Sequence, residues 1–226
     1  MATPLLAAVV TTTVTGLVVA LATAPVLRRL PEPVDGAREG KVPYPDLATF
    51  PFVLACAAWA VLAEVLAWAL LPAQVQPLWT VLALCAVLLA VIDARTTWLP
   101  LPLTRVGWLL MAVAAVLTVP LGASAADLLR TGAGGAAAGL FYLVVWLVTR
   151  GGFGFGDVRY APLLGAATAG ESWTLLLWGL TLGTVVGAVH AAVRLARRLP
   201  GGFPYAPSML AGVYLAALLL HVSATG

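Results

Sequence analysis

Charged side chains are scarce in this 226-residue chain: Asp, Glu, Lys and Arg together make up 9% of it. A water-soluble domain carries about a quarter, so the chain has too few charges to cover a soluble surface. Cysteine is nearly absent. Its two copies, Cys56 and Cys85, both lie in apolar runs, which argues against a disulfide scaffold or a CxxC zinc site. The two histidines, His190 and His221, are too few and too far apart for a histidine-based metal site. No GxxxxGK[ST] phosphate loop occurs, and no spacing suggests a Ser/His/Asp arrangement. The expectation is a chain that works without a metal or a cofactor.

Apolar residues are abundant, at 62%, with a mean hydropathy of +1.03. That composition excludes disorder and points to an all-α, polytopic membrane protein. The net charge is +3. Twelve basic residues spread along an apolar chain fit membrane orientation, so no nucleic-acid partner is expected. The lipid bilayer is the expected surrounding.

Apolar runs place eight membrane segments at about 4–27, 48–71, 77–93, 104–122, 132–149, 158–170, 172–194 and 205–223. Most approach the ~20 residues that span a ~30 Å hydrocarbon core. The sixth rises only about 20 Å and is expected to be short, tilted or partly re-entrant. Ala22-Thr23-Ala24 has the form of a signal-cleavage site. No basic residue precedes that run and Arg28-Arg29 follow it, so a retained anchor with an outside N-terminus is expected.

The basic residues agree with this count. Arg28, Arg29, Arg38, Lys41, Arg95, Arg105, Arg150, Arg159, Arg194, Arg197 and Arg198 all fall on one side, and only Arg130 on the other. Eleven against one is a strong positive-inside bias, which places the loops after segments one, three, five and seven in the cytoplasm. The localisation expected is the cell membrane. Loop 28–47 carries four basic and four acidic residues and four prolines, too little for a domain. The chain is therefore read as one membrane-embedded domain, 1–226. The small residues from Gly132 to Gly139 read as helix-packing positions. Trp79, Trp98, Trp108, Trp173 and Trp178 include candidate interface anchors.

Nine acidic residues are present, four of them in the first loop. Asp127 and Glu171 read as solvated acids of short outer turns. Glu64 lies inside the second segment, where an ionisable group is costly; a hydrogen-bonded structural role and a functional one both fit it. Asp93 ends the third segment, and Asp157 closes the run Gly151-Gly152-Phe153-Gly154-Phe155-Gly156-Asp157 before the sixth.

Two carboxylates held close together cannot both ionise cheaply. One retains a proton as general acid while the other activates water as general base, which suffices for peptide hydrolysis without a metal. Glycines beside them permit close backbone approach. The plainer readings are an N-cap for Asp157 and a hydrated membrane-edge acid for Asp93.

Gly154-Phe155-Gly156-Asp157 with Val158-Arg159, followed by Leu164-Gly165-Ala166, resembles the GxGD motif region of type IV prepilin peptidases. Asp93, Leu99-Pro100 and Leu103-Thr104 match the frame of that family's first aspartate. Pro204-Tyr205-Ala206-Pro207 is similar to its C-terminal Pro-Phe-Gly-Pro. The resemblance runs from about residue 43 to the end, and the family's eight-span, N-outside layout agrees with the loop count.

The resemblance implies a membrane aspartyl endopeptidase with Asp93 and Asp157 as catalytic aspartates. Gly154, Gly156, Leu99, Pro100 and Arg159 would bind substrate or support the motifs. It implies prepilin or pseudopilin substrates, cut after a glycine that ends a short basic leader, at the cytoplasmic face. Three positions depart from the family: Leu101 stands where Asp or Asn is usual, Arg159 replaces Lys, and Tyr160 replaces an aliphatic residue. Residues 28–47 contain no cysteine, so the zinc-binding methyltransferase domain of many members is expected to be absent. The rival reading is a non-catalytic scaffold or transporter-like subunit of a pilus or secretion system, with Asp93, Asp157 and Glu64 as a polar path. The oligomeric state is not legible.

Overall fold

The computed structural model describes residues 2–32, 42–150, 154–198 and 202–225, and among them secondary structure is helical, without a strand. Arg38, Lys41 and Gly151-Gly152-Phe153 lie outside the described residues. Eight helices account for the eight segments. They are α1 (Ala2–Arg29), α2 (Phe50–Leu70), α3 (Ala73–Thr96), α4 (Leu101–Leu117), α5 (Ala125–Val148), α6 (Phe155–Glu171), α7 (Trp173–Ala196) and α8 (Ala206–Thr225). A short 3-10 turn, Tyr44–Leu47, leads into α2. Seven of the eight are long and apolar enough to cross a membrane, with α4 counted to Leu121. The chain is a multi-pass membrane protein.

The exception is α6. Its 17 residues rise about 25 Å, somewhat short of a bilayer core. It compensates by position: Val158, Tyr160, Ala161 and every residue from Leu163 to Gly170 are buried by neighbouring helices. The other interior helix is α3. Of its most apolar stretch 78% is buried, against 11–33% for the other six spans. The two helices that carry Asp93 and Asp157 are therefore the centre of the bundle, and the rest form its lipid-facing wall.

Small residues let α6 reach that centre. A Cβ on Gly134 of α5 would collide with the Ala169 Cβ and lie 2.8 Å from the Gly165 carbonyl oxygen; one on Gly165 would collide with Ala138. This is small-residue packing of the kind that drives helix association in lipid, and it gives Gly134, Gly135 and Gly139 of the 132–139 run their role. The same device brings α7 against α8, where Gly183 and Gly212 meet backbone to backbone.

Polar side chains finish the ends and irregularities. Ser124 and Asp127 form a capping box at the start of α5, so Asp127 is a cap and not merely a solvated acid. Arg130 pairs with Asp127 at 2.9 Å and donates from Nε to the Ala169 carbonyl (2.6 Å) and from Nη2 to that of Gly170 (2.8 Å). The one basic residue that breaks the charge bias thus satisfies the last carbonyls of α6, which a helix end leaves without partners.

Within α3 a π turn, Leu82–Ala86, interrupts the α-helix, and Tyr160 Oη donates to the Ala86 carbonyl at 3.0 Å. The departure at Tyr160 is thus a tie between the two central helices. Trp79 is fully buried against Tyr214 and is no interface anchor. Glu64, also fully buried, accepts at Oε1 from Thr80 (2.8 Å) and Trp68 Nε1 (3.2 Å), the hydrogen-bonded reading of that residue.

Candidate active site

Asp93 lies one turn before the end of α3, and the sequence ends the helix there for identifiable reasons. Thr97 takes the left-handed conformation (φ 56°) and its N–H donates to the Asp93 carbonyl at 2.7 Å. Such a left-handed residue is a common helix stop. Pro100 then caps α4, and Pro102 sits in its first turn where no N–H is required. The Pro100 carbonyl accepts both the N–H and the Oγ1–H of Thr104, each at 3.1 Å. Leu99-Pro100 and Leu103-Thr104 are therefore the corner that separates α3 from α4.

Asp157 sits in the first turn of α6. The N-cap is Gly154, not Asp157, which corrects the plainer reading of that residue. Gly154 is needed for close approach: a Cβ there would lie 2.8 Å from Asp157 Oδ2. A Cβ on Gly156 would lie 3.1 Å from Leu99 Cβ. The glycine motif and the Leu-Pro corner are in this way packed on each other, although 57 positions (156 − 99) separate them.

The two aspartates line one cavity of about 570 Å³, with Leu99, Pro100, Gly154, Gly156 and Arg159 on its walls. All seven residues that the resemblance names as catalytic or supporting line this cavity. Both carboxylates are buried, with Asp93 4% and Asp157 6% exposed, so Asp93 is not a hydrated edge residue. Leu101, the departure from the usual Asp or Asn, lines the same wall. Arg159 lies over the Phe155 ring at 4.6 Å, and its carbonyl accepts from Trp108 Nε1 at 3.0 Å. A larger apolar groove of about 820 Å³, between α2, α3 and α8, contains neither aspartate.

The two carboxyl groups have different surroundings. Asp93 Oδ2 accepts the Ala206 backbone N–H at 3.1 Å. Ala206 is the first residue of α8, so an otherwise orphaned N–H and the positive end of a helix dipole both meet a carboxylate. Asp157, outside the seven spans, has no such donor at Oδ1, which is buried without a hydrogen-bond partner among the described residues. Burial first, then the nearby Asp93 charge, pushes its carboxyl up to about 8. The two carboxyl groups are thus held differently: Asp93 accepts a main-chain N–H at a helix start, and Asp157 keeps one buried oxygen without a partner among the described residues.

Two contributors were not singled out from sequence. One is the Ala206 N–H; a main-chain donor carries no residue signature beyond its Pro-Tyr-Ala-Pro surroundings. The other is Tyr44, which lines the cavity beside Asp93 and packs its ring edge-on to Trp98 at 6.4 Å. The nearest signal was its position among prolines in a loop read only as a connection.

His190 and His221 lie elsewhere. His190 packs edge-on to Phe203 at 4.8 Å, and a ring nitrogen of His221 lies 3.2 Å from the Leu70 carbonyl oxygen.

No curated protein and no solved structure matches the chain. A family model does, over residues 80–192, which is 113 of the 226 positions (192 − 80 + 1). The matched stretch holds the whole Leu-Pro corner, the glycine motif and both aspartates of the cavity. The chain belongs to the type IV leader peptidase family.

Proposed function

We propose that this membrane peptidase is an aspartyl endopeptidase that removes the short basic leader of type IV prepilins or pseudopilins at the cytoplasmic membrane face. The observation that carries the reading is the shared cavity of Asp93 and Asp157, one carboxyl held by a helix N-terminus and the other with one buried oxygen, Oδ1, that has no partner among the described residues.

In this mechanism Asp93 acts as base and Asp157 as acid. Water enters between them and attacks the scissile carbonyl carbon. Asp93 takes a proton from the water, and Asp157 gives its proton to the carbonyl oxygen, leaving a tetrahedral gem-diol. On collapse the C–N bond breaks, Asp93 returns its proton to the leaving amine, and Asp157 recovers one from a gem-diol hydroxyl. One water is consumed, and the dyad ends singly protonated as it began.

Family membership and the basic-residue bias support the substrate and the face. Arg95, Arg105 and Arg159 lie on the helix ends nearest the two aspartates, and such residues favour the cytoplasmic side. A leader awaiting export would be presented there.

The test is the N-terminal mass of a prepilin co-expressed with this chain in a host lacking its own prepilin peptidase. Loss of the leader is expected. A scaffold would leave the prepilin intact with every prepilin of the source genome, and that outcome would overturn the reading.

A further inference from the structure

Resting on the proteolytic reading, we propose that Tyr44 is a third catalytic group, whose phenol hydroxyl donates a hydrogen bond to the scissile carbonyl oxygen during water attack. The dyad supplies acid and base, but oxygen charge develops before the proton from Asp157 arrives. A preorganised neutral donor at that point is among the stronger catalytic devices available to an enzyme.

Four observations place Tyr44 in that role. It lies outside the eight helices, in the turn Tyr44–Leu47, yet it is only 2% exposed and lines the cavity that holds Asp93 and Asp157. Its backbone N–H donates to Glu32 Oε1 at 2.9 Å, and its ring meets Trp98 edge-on at 6.4 Å with 65° between planes. Main chain and ring are thus both fixed, so the hydroxyl is positioned without further ordering.

Tyr44 and Asp93 line the same cavity. No hydrogen bond within the described residues engages the hydroxyl, which leaves it for a ligand. Burial, followed by the charges of Glu32 and Asp93, holds the phenol above its ordinary value. It therefore remains a donor across the range in which the dyad is active.

The rival role is packing, with the ring merely seating the first loop on Trp98. Tyr44→Phe separates the two, because it deletes the hydroxyl and keeps the ring. The experiment is leader removal from a purified prepilin by the full-length protein in detergent, with kcat, KM and the thermal midpoint measured for wild type, Tyr44→Phe and Tyr44→Ala. For Tyr44→Phe the expected result is a fall in kcat of about 100-fold, with KM and thermal midpoint close to wild type. Tyr44→Ala should lose both activity and thermal stability.

Wild-type kcat in Tyr44→Phe would overturn the proposal and leave the dyad mechanism standing. So would a fall in kcat matched by a comparable loss of thermal stability, since that is the packing role. Absence of cleavage by wild type would remove the proteolytic reading and this proposal together.

Discussion

The main-chain N–H of Ala206 donates to Oδ2 of Asp93 at 3.1 Å, joining residues 113 positions apart. Through this bond the last helix completes a site whose aspartates come from α3 and α6. It also breaks the symmetry of the dyad. Asp93 receives a donor and the positive end of a helix, while Asp157 retains a buried oxygen without a partner among the described residues. The proposed division into base and acid follows from that difference.

The dyad has a definite pH response. Asp157 is held up at about 8 by burial and by Asp93, so in the proposed mechanism it carries the acid's proton below that pH and loses it above. Cleavage should therefore fall as pH rises through about 8, approaching a tenfold loss per unit once both carboxyls are ionised. A pH–rate profile in detergent checks this. A rate that keeps rising beyond pH 9 would contradict the assignment of the acid.

Gly154 and Gly132 make a matched pair. A Cβ at Gly154 would crowd Asp157 Oδ2 at 2.8 Å, whereas one at Gly132 would meet nothing within 4 Å. Gly154→Ala is expected to lower cleavage at least tenfold with normal membrane levels, and Gly132→Ala to change neither. Comparable activity in the two variants would deny the glycine motif its steric role.

Arg130 provides a prediction about stability alone. Removing its guanidinium leaves the Ala169 and Gly170 carbonyls at the end of α6 without their donors. Hydrogen bonds to a charged group contribute about 1.5–3 kcal/mol, so Arg130→Ala should lower the thermal midpoint in detergent. The site lies at the opposite end of α6, and the pH profile of cleavage should keep its shape. An unchanged midpoint would show that water replaces the cap.

Tyr160→Phe tests the tie between the central helices. The variant keeps the ring and deletes the donor to the Ala86 carbonyl in the π turn. The expected loss is about 1–2 kcal/mol, read as a lower denaturation midpoint. No loss would mean that the carbonyl is satisfied within α3.

Much of this architecture was legible in the sequence because membrane constraints are severe. A bilayer demands long apolar helices, and seven of the eight apolar runs are such helices. The short run at 158–170 reads correctly as unusual, and the structure supplies the reason: α6 is wrapped by helices, so it need not satisfy lipid along a full span. Asp93 and Asp157 stand out because ionisable groups at membrane depth are rare.

Other features were invisible for equally physical reasons. The Ala206 donor is main chain, and any residue but proline could supply it. Trp79 looks like an interface anchor by type and position, but tertiary packing buries it against Tyr214. Asp157 looks like an N-cap until the helix is seen to start at Phe155. Tyr44 gives no periodic signal because it sits in a turn, where only the folded chain brings it to Asp93.

The central claim is that Asp93 and Asp157 together carry the hydrolysis. It is tested most directly by the N-terminal mass of a prepilin co-expressed with wild type, Asp93→Asn and Asp157→Asn at matched membrane levels. The account predicts leader loss with wild type alone, since each amide keeps the side chain's shape and removes its acid–base capacity. Equal leader removal by all three would contradict it.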